Sequence, residues 1–368
     1  MTRSKIKNIS ISLIVTCLAS VMTGWLSNDV NSDLIISLFC GKTDIEFSDF
    51  YNRVLHNSSS KEIDKDIIIV NIDSVYSRRD FSLLLEELNN YHPKLIGIDV
   101  LFDTPKDSIE ELILKNTIKN ASNIILAKEY DQEKDQYKSS IFDSEIDESH
   151  FGIVNFVNRN SHSVRSYLPC FNVNGEKKPS FSTRIYQMLS NSRSRTNYEK
   201  IDEETIVFPS IGFCEVDARF IKRDSSLITG KIVIVGSLND SYDQHITPID
   251  DKMPGSLIWA YILSDLINNR CLKTIGNFSE WIIAIVLSFL LCFIYVSLND
   301  TNMQNFCIRI VPIFILIFLG FFGCYLFSQF YLYFNVTKVI ITSSIGILIL
   351  DILYASFDVF NLIKRRYK

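Results

Sequence analysis

The sequence Asp66-Ile-Ile-Ile-Val-Asn-Ile-Asp73 is a run of mostly β-branched residues that is bounded by acidic residues. A strand with one face in water alternates apolar and polar residues, whereas this run is apolar almost throughout. It therefore predicts a strand that is buried on both faces, as in a parallel sheet with helices on each side. Lys94-Leu-Ile-Gly-Ile-Asp99 and Gly230-Lys-Ile-Val-Ile-Val-Gly236 predict two more strands of this kind.

Helical patterns alternate with these strands. Between the first two strands, apolar residues recur at the i, i+3, i+4 and i+7 spacing of an amphipathic helix; they are Phe81, Leu84, Leu85 and Leu88. Further helices are predicted over residues 107–121, 179–190 and 256–268, and a fourth buried strand over 123–127. Strand–helix–strand repeats of this length predict an α/β fold with a mostly parallel, doubly wound sheet. Residues 151–157 and 164–171 predict a hairpin around a polar turn.

Four apolar stretches flank this domain: residues 9–26 before it, and 281–298, 306–327 and 339–357 after it. Each is close to the ~20 residues that a helix needs to cross a bilayer. Basic residues stay on the cytoplasmic side of a membrane. They precede the first stretch and follow the last one: Arg3, Lys5, Lys7, Lys364, Arg365, Arg366 and Lys368.

This pattern predicts a multi-pass protein of a bacterial inner membrane with both termini in the cytoplasm. Residues 1–27 would be a transmembrane anchor, 28–275 an extracytoplasmic domain, 279–363 three transmembrane helices and 364–368 a basic cytoplasmic tail. The first segment could instead be a cleaved signal peptide, since a basic start and an apolar centre fit both. The absence of a small-x-small cleavage site favours the retained anchor.

Composition and motifs exclude several classes of function. The net charge of −5 and the scattered basic residues argue against a nucleic-acid partner. The sequence contains no G-x-S-x-G, no H-E-x-x-H and no phosphate-binding glycine loop, so we expect no enzyme activity. The eight cysteines are widely spaced and the five histidines are scattered. We therefore expect no cofactor and no metal centre.

Polar residues gather where the predicted strands end. In open parallel sheets, ligands bind outside the carboxyl ends of the strands, near the point where strand order reverses. An acidic rim at this edge could hold a cation or a polar solute. The alternative is that each aspartate only caps the turn that follows it. The rim residues are Asp73, Asp99, Asp103, Asn239, Asp240, Asp243 and His245.

Three ionisable residues fall within or beside the predicted spans. Asp351 lies well inside the last span, Asp358 is two turns further on, and Arg309 is near the start of the third span. Ionisable groups in a bilayer face the bundle interior and pair. We therefore predict that Arg309 contacts Asp351 or Asp358; the alternative for Arg309 and Asp358 is that they reach the membrane surface.

The order of these motifs resembles the second of the CHASE families, which are extracellular sensory domains of bacterial signalling proteins. The resemblance covers roughly residues 47–272. It rests on several segments in order: Ile69-Val-Asn-Ile-Asp73, Pro93-Lys-Leu-Ile-Gly-Ile-Asp-Val-Leu-Phe102, Gly152-Ile-Val-Asn155, Ser163-Val-Arg165, Gly230-Lys-Ile-Val-Ile-Val-Gly236, Asp243, Thr247-Pro248 and Pro254-Gly255. It implies a sensor domain and adds Arg165 to the predicted ligand-binding residues. The family's usual cytoplasmic output domain is missing from this sequence.

Two functions remain open at this point. The first is a membrane sensor, in which the outer domain detects a small molecule or an envelope protein and the helices signal to a separate cytoplasmic or membrane partner. The second is a structural or assembly subunit of an envelope complex. A transport function would need a homo-oligomer, because three spans per chain do not enclose a path.

Overall fold

The computed structural model describes residues 3–29, 49, 51–53, 56, 62–105, 108–131, 133–157, 163–190, 202–223, 225–298, 304–333 and 337–366. Side chains near several helix ends, including residues 25–29, 304–312 and 358–366, lie outside this description. The chain forms two compact units. One comprises Asn52–Leu272, and the other comprises Met1–Tyr51 together with Lys273–Lys368.

A six-stranded parallel sheet forms the centre of the Asn52–Leu272 unit. Its strands are β1 (Glu62–Asn71), β2 (Leu95–Ile98), β3 (Ile124–Lys128), β4 (Phe151–Ile153), β5 (Ile211–Asp217) and β6 (Ile232–Gly236). The spatial order is β5–β1–β6–β2–β3–β4. The last strand in sequence is thus inserted between the first two, which brings the chain after β6 beside the ends of β1 and β2.

Helices cover both faces of the sheet. Helices α2 (Arg78–Asn90) and α3 (Ser108–Lys119) pack against one face, and α4 (Phe181–Leu189) and α5 (Gly255–Ile267) against the other. Successive side chains of a strand point to opposite faces. Ile67 and Ile69 of β1 accordingly lie in the α4–α5 layer, while Ile68 and Val70 lie in the α2–α3 layer. The predicted doubly wound α/β fold is confirmed, and burial on both faces explains why the strands read as continuous apolar runs.

The predicted hairpin of residues 151–157 and 164–171 is wrong. Phe151–Ile153 instead forms the parallel edge strand β4 beside β3. Ser166–Tyr167 pairs with Glu204–Thr205, and Cys170–Val173 pairs with Glu176–Pro179. This last hairpin turns at Asn174-Gly175, where both residues have positive φ, +51° and +82°. An Asn-Gly pair is a strong hairpin signal because both residues tolerate that conformation, and the sequence reading overlooked it.

The other unit contains four long helices: α1 (Arg3–Asp29), α6 (Asn277–Leu298), α7 (Gln304–Phe330) and α8 (Thr337–Arg366). Among the described residues, three stretches are long and apolar enough to cross a membrane; they are Lys5–Gly24, Asn277–Ser297 and Lys338–Phe357. The apolar stretch described in α7 is shorter, Ile317–Phe330. The membrane class is therefore confirmed and the N-terminal helix is one of the three candidate spans, while its retention as an anchor and the crossing by α7 stay predictions.

Small and polar residues mediate helix packing in this unit. The hydroxyl groups of Ser288 and Ser343 lie 2.9 Å apart and share a hydrogen bond between α6 and α8. Asp351 accepts a hydrogen bond from the hydroxyl of Tyr295, so this carboxylate has a protein partner within the unit. The side chains of Arg309 and Asp358 lie outside the described part of the chain, and the predicted pairing with Arg309 remains a prediction.

Candidate functional site

A cleft of about 960 Å³ opens at the carboxyl ends of β1, β2, β4 and β6. Strand order reverses around β6, since α2 and α3 follow its neighbours β1 and β2 on one face and α5 follows β6 on the other. This is the place where ligands of doubly wound sheets bind. The polar lining residues are Asp73, Asp99, Glu129, Asn155, Ser237, Asn239, Asp240, Tyr242, Asp243 and His245.

Asp73, just beyond the end of β1, holds the loop that follows β6. Its carboxylate accepts hydrogen bonds from the Ser237 hydroxyl and from the Asn239 side-chain amide, the latter at 2.6 Å. Partial burial alone would raise the pKa of Asp73, but these hydrogen bonds stabilise the charged form and hold the pKa below its usual value. Asp73 is therefore ionised, and its lone pairs are largely occupied by the protein.

Asp240 has a similar structural task within the same loop. Its side chain accepts a hydrogen bond from the backbone N–H of Tyr242 at 3.0 Å and caps a short 3₁₀ turn over Ser241–Asp243. Its own N–H donates to the Ser237 hydroxyl at 3.1 Å. Asp73 and Asp240 therefore both stabilise the turns beside them, as the capping alternative predicted, and also line the cleft.

Asp99 differs from both. Its Oδ2 atom is buried and has no hydrogen-bond partner among the described residues. The hydroxyl of Ser256, in the first turn of α5, lies close enough to the carboxylate to lower its pKa, but its single proton is donated to the Ser237 carbonyl oxygen, with 3.3 Å between the two oxygen atoms. Burial, followed by the nearby negative charge of Asp243, raises the pKa of Asp99 to about 7.

The carboxylate of Asp243 packs against Gly255, the first residue of α5. A Cβ atom placed on Gly255 would lie only 2.5 Å from Asp243 Oδ1, so a larger residue would displace the carboxylate. The N-terminus of a helix favours negative charge, because its first N–H groups carry partial positive charge. The same Oδ1 atom lies 3.2 Å from His245 Nε2. Gly236 plays a matching role, because a Cβ there would collide with the side chain of Ser256.

One wall of the cleft is aromatic. The ring of Phe156, which follows β4, stacks on Trp259 of α5 with centroids 4.7 Å apart, and its edge contacts His245 at 4.8 Å. Phe156, Ser256 and Trp259 were missed by the sequence analysis. The Pro-Gly-Ser start of α5 was the available signal for Ser256; nothing in the sequence marks Phe156 or Trp259, because only the fold brings them together.

Two of the predicted site residues lie elsewhere. Asp103 accepts a hydrogen bond from the neighbouring Thr104 hydroxyl at 2.9 Å and lines a separate, shallow depression beside Lys138. Arg165 is buried, and its backbone carbonyl bonds Ile206 N–H at 2.9 Å. Neither is among the described lining residues of the cleft. A ligand-binding role for the eight predicted residues stays a prediction, and the cleft brings together six of them, all but Asp103 and Arg165.

The cleft carries mostly negative charge. Five of its described lining residues carry carboxylates, and none is lysine or arginine. Within the described part of the chain, no three His, Cys, Asp or Glu side chains are placed to hold a metal ion. The described lining can therefore offer carboxylate acceptors to a solute, but no lysine or arginine side chain.

Comparison with known proteins identifies the family of the chain. A family model described as the CHASE2 domain matches residues 33–294, more than two thirds of the chain. No curated protein and no solved structure gives a significant match. CHASE2 domains are sensory rather than catalytic, which is consistent with a protein that is not an enzyme. The chain belongs to the CHASE2 family of extracellular sensor domains.

Proposed function

We propose that the protein is an integral membrane sensor. Its outer domain binds a small solute in the cleft, and the helices pass a rearrangement to a separate cytoplasmic or membrane protein. The observation that supports this most is the position of α5. Trp259 in the second turn of α5 lines the cleft, and Ser256 in the first turn is buried beside Asp99. Only residues 268–276 separate this helix from α6, a candidate span.

In this proposal, a shift of α5 transmits the signal from the cleft to the spans. The helix is buried over most of its length, so it would move as a unit rather than bend. A ligand that contacts Asp99 and Trp259 would favour one position of the first turns of α5 over another. The ligand must prefer that position, because equal affinity for both states shifts no population.

The proposed topology places the domain outside the cytoplasm. Basic residues at both ends of the chain support it through the positive-inside rule. Cys271 is an exposed residue of the domain and a suitable reporter. In spheroplasts that express a variant with Cys271 as its only cysteine, we expect a membrane-impermeant maleimide to label the protein before lysis. Labelling only after lysis would contradict the topology, and Cys271→Ser is the control for background.

The proposed partner is tested by cross-linking and mild-detergent purification of the full chain. We expect a cytoplasmic or membrane protein to co-purify, and to be lost when residues 364–368 are deleted or when α6–α8 are replaced by an unrelated three-span segment. Recovery of no partner would contradict signalling to a separate protein. Constitutive binding of an envelope protein to the outer domain would instead support the assembly-subunit alternative.

A further inference from the structure

We infer that the cleft binds a small organic ammonium ion, with the ammonium group between Asp99 and Asp243 and the carbon skeleton against Phe156. This inference rests on the proposed function, since it takes the cleft as the ligand site. It adds the chemical class of the ligand, which neither the fold nor the family supplies.

The distribution of negative charge is the first reason. Three of the five carboxylates are already engaged: Asp73 and Asp240 hold the loop after β6, and Glu129 pairs with Lys138 at 2.6 Å. The negative charge that remains for a ligand is concentrated at Asp99 and Asp243. An anionic ligand would be repelled there, and a neutral one would leave the two carboxylates uncompensated.

The unpartnered oxygen of Asp99 is the second, independent reason. A buried polar atom without a hydrogen bond costs about 1–3 kcal/mol, and more for a charged group, so such atoms in a folded domain call for an explanation. An ammonium group carries three donors and a positive charge. Once a rotation of the Asp99 carboxylate turns the buried Oδ2 towards the cleft, the ammonium group could satisfy this atom and compensate Asp243 at the same time, through charge-assisted hydrogen bonds.

The aromatic wall distinguishes an organic cation from a metal ion. Phe156 is backed by Trp259, and Val100, Leu101 and Val154 add further apolar surface. Such surface contacts a carbon skeleton, and the face of an aromatic ring attracts a cation. A calcium ion needs about 6–8 oxygen ligands, whereas the cleft of about 960 Å³ has the size of sites for organic ligands.

Three four-carbon compounds that differ in charge, together with calcium as a metal ion for comparison, test the inference. The full chain in nanodiscs at pH 8 and physiological salt is melted with 1,4-diaminobutane, butane-1,4-diol, succinate or calcium chloride, and affinities are measured by calorimetry. A ligand that binds only the folded state raises the melting point. We expect the diamine to raise it in a concentration-dependent way and the other three to leave it unchanged.

Variants locate the site. We expect Asp99→Asn and Asp243→Asn each to weaken diamine binding by about tenfold or more, because each removes one partner of a buried charge pair. Asp103→Asn removes a carboxylate outside the cleft and should keep the wild-type affinity. The melting point without ligand reports whether each variant folds.

Three results would overturn the inference. Stabilisation by the diol, by succinate or by calcium in preference to the diamine would assign another ligand class to the cleft while leaving the sensor function intact. Equal diamine binding by wild type and Asp99→Asn would place the cation elsewhere. Binding of no member of the series would also overturn it, and the sensor function would then be decided separately by the thiol-labelling and co-purification experiments.

Discussion

The two ends of α5 each bury an aspartate, and they do so in opposite ways. At the C-terminal end, Asp265 Oδ1 accepts from Arg270 Nε at 2.9 Å and Oδ2 accepts from Val207 N–H at 2.9 Å. At the N-terminal end, Asp99 faces the first turn with Oδ2 unpartnered and the negative charge of Asp243 nearby. Burial raises the pKa of both carboxyls to about 7, but removing a partner from Asp265 would leave a buried charge uncompensated, whereas Asp99 already has one buried oxygen without a partner among the described residues. We therefore read the first as structural and the second as part of a binding site.

Breaking the satisfied pair should have the largest effect. Arg270→Ala leaves the Asp265 carboxylate buried without its cation, and the loss of a partner from a buried ion pair costs about 3–5 kcal/mol. Denaturant unfolding of the full chain measures this. Arg219→Ala is the matched control, because the Arg219–Asp217 pair is exposed on the arginine side and should leave the unfolding free energy nearly unchanged. Equal effects of the two variants would contradict the structural role of Asp265.

The unsatisfied aspartate should make stability depend on pH. Asp99 has a pKa of about 7 in the folded protein, against an ordinary value of 3.8. Between these two values the folded state holds a proton that the unfolded state has released. The free energy of unfolding therefore falls as pH rises from about 4 to about 7, by on the order of 2–4 kcal/mol.

Asp99→Asn should make the fall over this pH range less steep and raise the melting point at pH 8 relative to the wild type. Part of the fall should remain, because burial raises the pKa of Asp265 to about 7 as well. Asp243 and His245 are the titratable groups closest to this change, and Asp73, Glu129 and Asp240 also face the cleft. His245→Gln serves as the control for the ionisable side chain that lies beside Asp243. If the free energy of unfolding falls as steeply with pH in Asp99→Asn as in the wild type, the pH dependence belongs to another group.

A smaller effect on stability is expected at Gly255, whose lack of a side chain leaves room for the Asp243 carboxylate. In Gly255→Ala the new methyl group would lie about 2.5 Å from Asp243 Oδ1, so the carboxylate must move. Alanine favours a helix over glycine by about 1 kcal/mol, and crowding of this kind costs about 1–3 kcal/mol, so the net loss of stability should be small. Gly212→Ala is the control, since a Cβ there meets no atom within 4 Å.

The readout that separates these two glycine variants is binding of 1,4-diaminobutane. Gly255→Ala should weaken it because Asp243 is displaced, while Gly212→Ala should leave it unchanged. Wild-type affinity in Gly255→Ala would show that the position of Asp243 is unimportant for the ligand, and the ammonium site would then reduce to Asp99 alone.

The sequence predicted the sheet but not the neighbours of its strands. Runs such as 66–73 and 94–99 are apolar because both faces of the strand are buried. The strands and the doubly wound class could therefore be predicted from local sequence patterns alone. Strand order is a tertiary property. The insertion of β6 between β1 and β2 is what brings Asp99 beside Ser256, and no local pattern contains that information.

The errors have equally physical reasons. Residues 151–157 were predicted to pair with the following segment, but an edge of the parallel sheet beside β3 was available to Phe151–Ile153. Asp103 follows a strand, as the rim prediction required, yet it bonds the next residue and lies outside the cleft. The aromatic wall combines a residue after β4 with one from α5, and such a pair is found only when the fold is known.

The measurement that tests the central claim most directly is the titration of the Asp99 carboxyl by difference infrared spectroscopy. The spectrum of Asp99→Asn is subtracted from that of the wild type at each pH between 4 and 9. We expect the C=O band of a protonated carboxyl to disappear with a midpoint near 7, and to be lost at lower pH when 1,4-diaminobutane is present, because a bound cation favours the ionised form. A midpoint near 4, unchanged by the diamine, would contradict the account.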